Sequence, residues 1–559
     1  MTVRPWAATC LAAMLALAPI PSAFAQVATP SVDPQADRLA RALETHVDPR
    51  LELAAAVLDL TPWAKEFAQL PASAYAKDAA TAFAKFANHS AVKTLNTFLE
   101  SDEGSLESYF QVALTLSTGL DDFGLPNDRL VERMGGAAGV QTLQAELKQF
   151  AADSSFLTFY QAHAAFYAGL EQRVYKALAP DNPIVRLETY YGSTNTRYQI
   201  LLAALAPKDN SPQTLTSLVT KEGPIAVVRP EATTKDKLPD FRPEAPAFVR
   251  GIDHAWGRAF IEPVTERHDK DLLVSANLYK PITVDMKEQH HPNWSDCFTE
   301  HLLRAVDARI LQADGEGKQA QISLRSNERA GYAYVRDVFD QLAKYEDDRK
   351  DYPSLEAFMP TLLARLSYLT DAGVDEDVAK RTASFQGPLM RALDKRYLAN
   401  VVLVRPTPVD PKMKAGAEAY VKRLKDEFRK RYHKDVKIVT GEEAALIDRK
   451  STAFLIVGTP WSNPFLAALI KFIPLKVSKD AIYLGEKQFI GKDLRLLTTF
   501  SNPYNGTLPM EILTSTDDRD IEGIFSLPIG PTDFIVYHGD RPIAEGDFVY
   551  DLKGRWTLH

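Results

Sequence analysis

Cysteine is nearly absent from this chain. The 559 residues hold only Cys10 and Cys297, so no disulfide framework holds the fold together. No Cys/His grouping has the spacing of a zinc finger. Long apolar runs are missing too: no stretch reaches the ~20 residues of a membrane helix, so no span is expected. Positive charge is not in excess. Lys and Arg number 65 against 73 Asp and Glu, a formal charge of -8, which argues against a nucleic-acid partner. There is no G-x-S-x-G elbow and no G-x-x-x-x-G-K-[ST] phosphate loop. An intact H-E-x-x-H is missing as well, although a damaged version is present.

What is there reads as an ordinary globular protein, 45% hydrophobic and 25% charged. The length points to two or three domains. Arg4, the apolar run Ala7 to Ala18, the breakers Pro19 and Pro21, and Ala23-Phe24-Ala25 together fit a cleavable export signal over residues 1–25. The expected location is therefore periplasmic or secreted. Cleavage would leave Cys297 as a lone thiol between Trp294 and Phe298, where it reads as a small packed apolar residue.

Residues 26–36 read as a flexible tether. From Asp37 to about Ala179 apolar residues recur at helical spacing, as in Leu51, Leu53, Ala55, Val57, Leu58 and Leu60. The aromatics from Phe156 to Tyr175 read as helix core. Arg197 to Leu201 and Pro224 to Val228 read as strands, with a turn-rich connection around Pro207, Asn210 and Pro212. Helices are expected over 297–312, Tyr334 to Tyr345 and 353–371, and the charge run 346–351 reads as a solvated face. Strand runs near Val401, Val436 and Ala453 alternate with helical patterns near 412–431, 442–448 and 464–472, which predicts a βαβ unit and a largely parallel sheet. The expected boundaries are 37–395 for a mainly helical domain with a small sheet and 396–559 for a C-terminal α/β domain. The fold class is α+β.

The chemistry rests on His254-Ala255-Trp256-Gly257-Arg258 and on Glu300 in Thr299-Glu300-His301-Leu302-Leu303-Arg304-Ala305. In an intact H-E-x-x-H, residues i and i+4 share a helical face, so two imidazoles reach one ion. The Glu between them takes a proton from the metal-bound water. A later Glu often completes the site. Here His254 and Glu300 remain as candidate metal ligands. Ala255 cannot act as a base, and Arg258 cannot bind a metal. Two arrangements are open: Arg258 pairs with Glu300 in the place of the ion, or Arg258 is exposed and Glu300 pairs with Arg304 one turn along its own helix. A rebuilt metal site could draw on His268, His290, His291 or His301. Near the C-terminus, Gly458-Thr459-Pro460 follows a strand run and leads to Ser462 and Asn463, which read as a helix cap, with a bound anion at that helix start, and function in the C-terminal domain, as the alternative.

These residues carry a resemblance. His254 to Pro263, Trp294 to Ala305 and Asp351-Tyr352-Pro353-Ser354 resemble a family of exported bacterial proteins catalogued as a domain of unknown function and read as zincin-like. Its pattern is similar to H-E-F-x-H-x-F-x-N-P followed by W-x-x-x-x-x-E-H-L-x-R-A. Val47 to Leu53 fits its opening, and Gly458 to Asn463 with Ser501 to Asn505 matches an α/β segment that often accompanies it. The resemblance implies a gluzincin-type metallopeptidase, from which this chain departs at Ala255 and Arg258. The reading that follows is a catalytically impaired scaffold that binds a peptide or protein segment, through His254, Arg258, Glu300, His301 and Arg304, with no cofactor. The alternative is an active metal-dependent hydrolase with a rearranged zinc site.

Overall fold

The computed structural model describes residues 34–101, 104–180, 182–208, 213–289, 291–371, 389, 400–407, 417–432, 434–521, 523–529, 532–550 and 556–558. The expected signal and most of the tether lie outside these residues, as do His290 and the expected domain boundary near 396. The end of the tether, however, is helical: a helix runs Pro34–Ala42.

The architecture is α+β. Helices fill most of the described residues from 34 to 190. Strand β1 (Leu43–Val47) pairs in parallel with β2 (Tyr198–Leu202), which pairs in parallel with β4 (Pro224–Val228). Strand β3 (Thr214–Val219) closes the sheet antiparallel to β4, giving the order β1-β2-β4-β3. Both strands read from the sequence are present. The connection between them turns out to hold β3, whose threonines and serine lack a clean apolar alternation. The helix Pro49–Leu60 is buried on every side, and its Glu52 ties it to the sheet. One Glu52 oxygen accepts from the Ala204 and Leu205 amides, and the other accepts from the Tyr75 hydroxyl.

Two long helices follow. The motif helix (Pro246–Arg267) starts on a proline, whose missing N–H costs nothing at that position. It is pinned to the sheet by Trp256, which is fully buried, lies against Tyr198 and donates its indole N–H to the Gln199 carbonyl. The acid helix (Trp294–Ala313) is capped by the Asn293 side chain, which accepts from the Asp296 amide. Helices Val335–Asp347 and Leu355–Asp371 appear where the sequence predicts them. Helix Gly317–Arg329 is additional. Its pattern is faint because only Ala320, Leu324 and Asn327 are buried.

The charge run after Tyr345 is more than a solvated face. Glu346 pairs with Arg309 and accepts from the Tyr190 hydroxyl, while Arg349 donates to the Tyr190 and Pro353 carbonyls.

A seven-stranded sheet dominates the C-terminal part. It is parallel across Lys437–Thr440, Val401–Arg405, Ala453–Val457 and Asn505–Ser515, then antiparallel through Leu494–Asn502, Phe534–His538 and Arg541–Gly546. The expected largely parallel sheet therefore holds for only half of it. Short hairpins join Leu494–Asn502 to Asn505–Ser515 and Phe534–His538 to Arg541–Gly546, and a hairpin produces antiparallel neighbours where a crossover helix would produce parallel ones. Alternate residues feed a core on each face, Val401 and Leu403 on one, Val402 and Val404 on the other. The core of the helical part is a separate cluster running from Leu39 to Leu369. Arg325 and Arg329 join the two parts through Asp547, with Asp533 also paired to Arg329.

Candidate functional site

The motif helix and the acid helix lie face to face. His254 and Arg258 stand one turn apart on the first. Glu300, Arg304 and Asp307 stand on one face of the second, at four- and three-residue spacing. His254 meets Asp307 and Glu300 while Arg258 meets Glu300, so the two helices run in opposite directions.

Glu300 is the centre of this cluster, and its side chain is 2% exposed. Arg258 Nη2 lies 2.5 Å from one of its oxygens and Arg304 Nη2 lies 2.8 Å from the other. His254 Nε2 is 3.7 Å away. Both pairings are present, and one carboxylate takes a guanidinium from each helix; the exposed Arg258 of the second arrangement is not seen, since Arg258 is part-buried against Glu300. Burial alone would raise the Glu300 pKa. The charges of Arg258 and Arg304, with smaller contributions from His254 and His291, outweigh it and hold the carboxyl well below its usual range.

The remaining groups fix these two arginines and the imidazole. Arg304 Nη1 donates to Asn327 Oδ1 at 3.0 Å, and the guanidinium stacks on the Tyr332 ring at 4.2 Å. Arg258 also reaches Glu262 at 3.5 Å, one turn along its helix. His254 Nδ1 hydrogen-bonds Asp307 at 2.7 Å, so that nitrogen carries the proton and Nε2 faces Glu300. Asp307, Asn327 and Tyr332 were not singled out from the sequence. The i+7 spacing from Glu300 to Asp307 was the available signal for the first of them.

Gly257 makes this approach possible. A Cβ there would sit 2.6 Å from Leu303 Cδ1 and 2.9 Å from the Tyr191 hydroxyl. The Tyr191 ring cannot retreat easily, because it stacks on Phe260 with centroids 4.6 Å apart. Gly257→Val should therefore force the helices apart and cost roughly 1–3 kcal/mol, read as a lower urea midpoint at constant slope. An unchanged midpoint would show that the close packing does not depend on this glycine.

The other histidines disperse. His291 lines the same cleft and hydrogen-bonds the Tyr332 hydroxyl at 3.1 Å; burial pushes its pKa down to about 4. His301 is fully buried among Trp294, Tyr332 and Tyr334, with Nδ1 2.8 Å from the Cys297 carbonyl. It does not line the cleft, which sets it apart from the other candidate binding residues. His268 lies against Glu356 and Asp271. Cys297 is buried, as expected, and burial pushes its thiol pKa up. Among the described residues no group of three or more His, Cys, Asp or Glu side chains is arranged to hold a metal ion. The donor set does not fit zinc in any case, because a guanidinium occupies the carboxylate oxygen that a cation would use.

The cluster forms the floor of a cleft of about 1090 Å³. Ala255, Arg258, Glu262 and Glu266 line it from the motif helix, and His291, Arg304 and Tyr332 from the opposite side. Every residue from Gln213 to Val219 borders it. Alternate side chains of a strand point to opposite faces, so an unbroken run of seven presents the edge of β3. That strand is at the end of its sheet.

At the other candidate, the C-terminal turn, Asn463 caps helix Pro464–Leu469 by accepting from the Phe465 and Leu466 amides, and its amide group donates to the Val457 and Val404 carbonyls. Thr459 hydrogen-bonds Ser462 and Asp518. This is the cap expected from the sequence.

Fold and site together define an α+β protein in which two antiparallel helices present a His-Arg pair to a Glu-Arg-Asp face beneath a wide cleft. The chain belongs to the family described as a domain of unknown function, DUF4932, whose model matches residues 44–365, more than half of its length. That match holds the four-stranded sheet, both helices and every residue of the cluster, and the seven-stranded sheet lies beyond it. No curated protein and no solved structure matches the chain.

Proposed function

We propose that this protein is an exported, zincin-like scaffold that has lost peptidase chemistry and binds a peptide or protein segment in its cleft without cutting it. The observation that carries the reading is the position of Arg258. It stands one turn after His254, where a second imidazole would sit, and its guanidinium lies 2.5 Å from Glu300. Arg258 and Arg304 together supply two positive charges to that carboxylate, the charge a divalent cation would bring. With Ala255 at the position of the base, no group there can take a proton from water. What survives is binding geometry: a wide cleft beside a strand edge, where an extended segment can add to the sheet through main-chain hydrogen bonds. No helix among the described residues is long and apolar enough to cross a membrane. The export step rests on the N-terminal sequence.

One observation favours the alternative, an active metal-dependent hydrolase with a rearranged site. His254 donates Nδ1–H to Asp307, the kind of carboxylate contact that orients a metal-binding imidazole. Binding and cleavage can be separated in one sample: fluorescein-labelled casein peptides are mixed with purified protein, and anisotropy and fragment release are followed together. The binding reading expects anisotropy to rise with no fragments. Fragment release abolished by a chelator would replace it with the alternative.

A further inference from the structure

The cleft has a charge signature of its own. We propose that its occupant is an extended cationic segment, a strand carrying Lys or Arg at alternate positions, which lies along β3 and sends its side chains to an acidic rim. The inference rests on the cleft-binding reading above and adds the chemistry of the ligand to it.

Five carboxylates line the cleft, Glu107, Asp128, Glu262, Glu266 and Glu300, against the two guanidiniums of Arg258 and Arg304. No lysine lines it. Carboxylates and guanidiniums alone leave an excess of three negative charges, and burial keeps His291 neutral. The positive charges lie deep and are engaged with Glu300. Glu266 and Asp128 are exposed, so negative potential is concentrated where a ligand first arrives. A cleft with low-dielectric walls focuses such a field and raises the local concentration of cations.

The shape selects among cations. Among the described residues no three or more His, Cys, Asp or Glu side chains are grouped to hold a metal ion. The open edge of β3, six residues or about 20 Å long, offers main-chain partners to a strand, which a small amine could not use. The motif helix contributes Ala255, Arg258, Glu262 and Glu266 to the lining at three- and four-residue spacing, so its acidic end faces the cleft that the strand edge also borders. An acidic segment in the same place would meet like charge at the rim.

The experiment uses the full chain and three fluorescein-labelled heptapeptides, identical except for Lys, Gln or Glu at alternate positions, read by anisotropy. At low ionic strength the Lys peptide should bind about tenfold tighter than the Gln peptide, with the Glu peptide weakest, and the preference should shrink as salt rises. The double variant E266K/D128K, altered at exposed positions, should invert the order. Equal binding of all three peptides, a native preference for the Glu peptide, or a Lys preference that survives the double reversal would overturn the charge assignment while leaving cleft binding intact. Binding of none would overturn both.

Discussion

Glu300→Ala destabilises the protein by about 3–5 kcal/mol, the cost of breaking a buried ion pair from one side. The substitution leaves Arg258 and Arg304, drawn from two helices, facing each other with no carboxylate between them. Arg304 also keeps its place on Tyr332 and Asn327, so it cannot swing out to water cheaply. Glu300→Gln retains the volume and one acceptor and should cost less. The pH dependence follows from the depressed pKa. A carboxyl whose folded pKa lies below its unfolded value, about 4.3, stabilises the fold above that value and loses this contribution as pH falls through the folded pKa. The gap between native protein and Glu300→Gln is therefore full at pH 7 and closes in acid below about pH 4. Urea titrations followed by tryptophan fluorescence at pH 7 and pH 3 measure both effects. An alanine variant within about 0.5 kcal/mol of the native protein, the range of an ordinary surface change, would show that the cluster is not a stability centre.

The second large effect comes from restoring the missing pattern. The double variant A255E/R258H places a carboxylate and a second imidazole on the face that already holds His254, opposite Glu300. Without metal it should be less stable than the native chain, because the Arg258 charge is gone and a new acid faces a buried one. With zinc the same two changes become favourable, since His254, Glu300 and the imidazole introduced by R258H form a three-ligand set with an open position. At a zinc concentration about a thousandfold above the dissociation constant, linkage adds about 4 kcal/mol. A thermal shift seen with zinc and reversed by chelator, in the double variant but not in the native protein, is the expected result. A double variant indifferent to zinc would mean that the two helices do not retain an ion-binding geometry.

Much of this could be read in the sequence, for identifiable reasons. Motif spacing is local, so the pairing of His254 with Arg258 on one helical face follows from four-residue spacing alone. Bringing that face to Glu300 is a long-range fact, and only the resemblance suggested it. The sequence does not show that Arg258 and Arg304 pair with Glu300 together, because each arginine takes a different carboxylate oxygen, a fact of geometry alone. Asp307 is not legible in the sequence, because an acid seven residues along a helix looks like any exposed charge until an imidazole faces it. Strand β3 escaped notice because Thr214, Thr216 and Ser217 give no apolar alternation, and helix Gly317–Arg329 because it buries so little. The second half of the C-terminal sheet was misjudged in direction, since strand patterns do not encode whether the next connection is a hairpin or a helix.

The central claim is that a guanidinium occupies the place of an ion between His254 and Glu300. The metal content of native protein, purified without chelator and measured by plasma mass spectrometry, tests it most directly. The account predicts far less than one equivalent of zinc or any other transition metal in a folded, stable protein. One equivalent, lost together with stability on chelation, would contradict it.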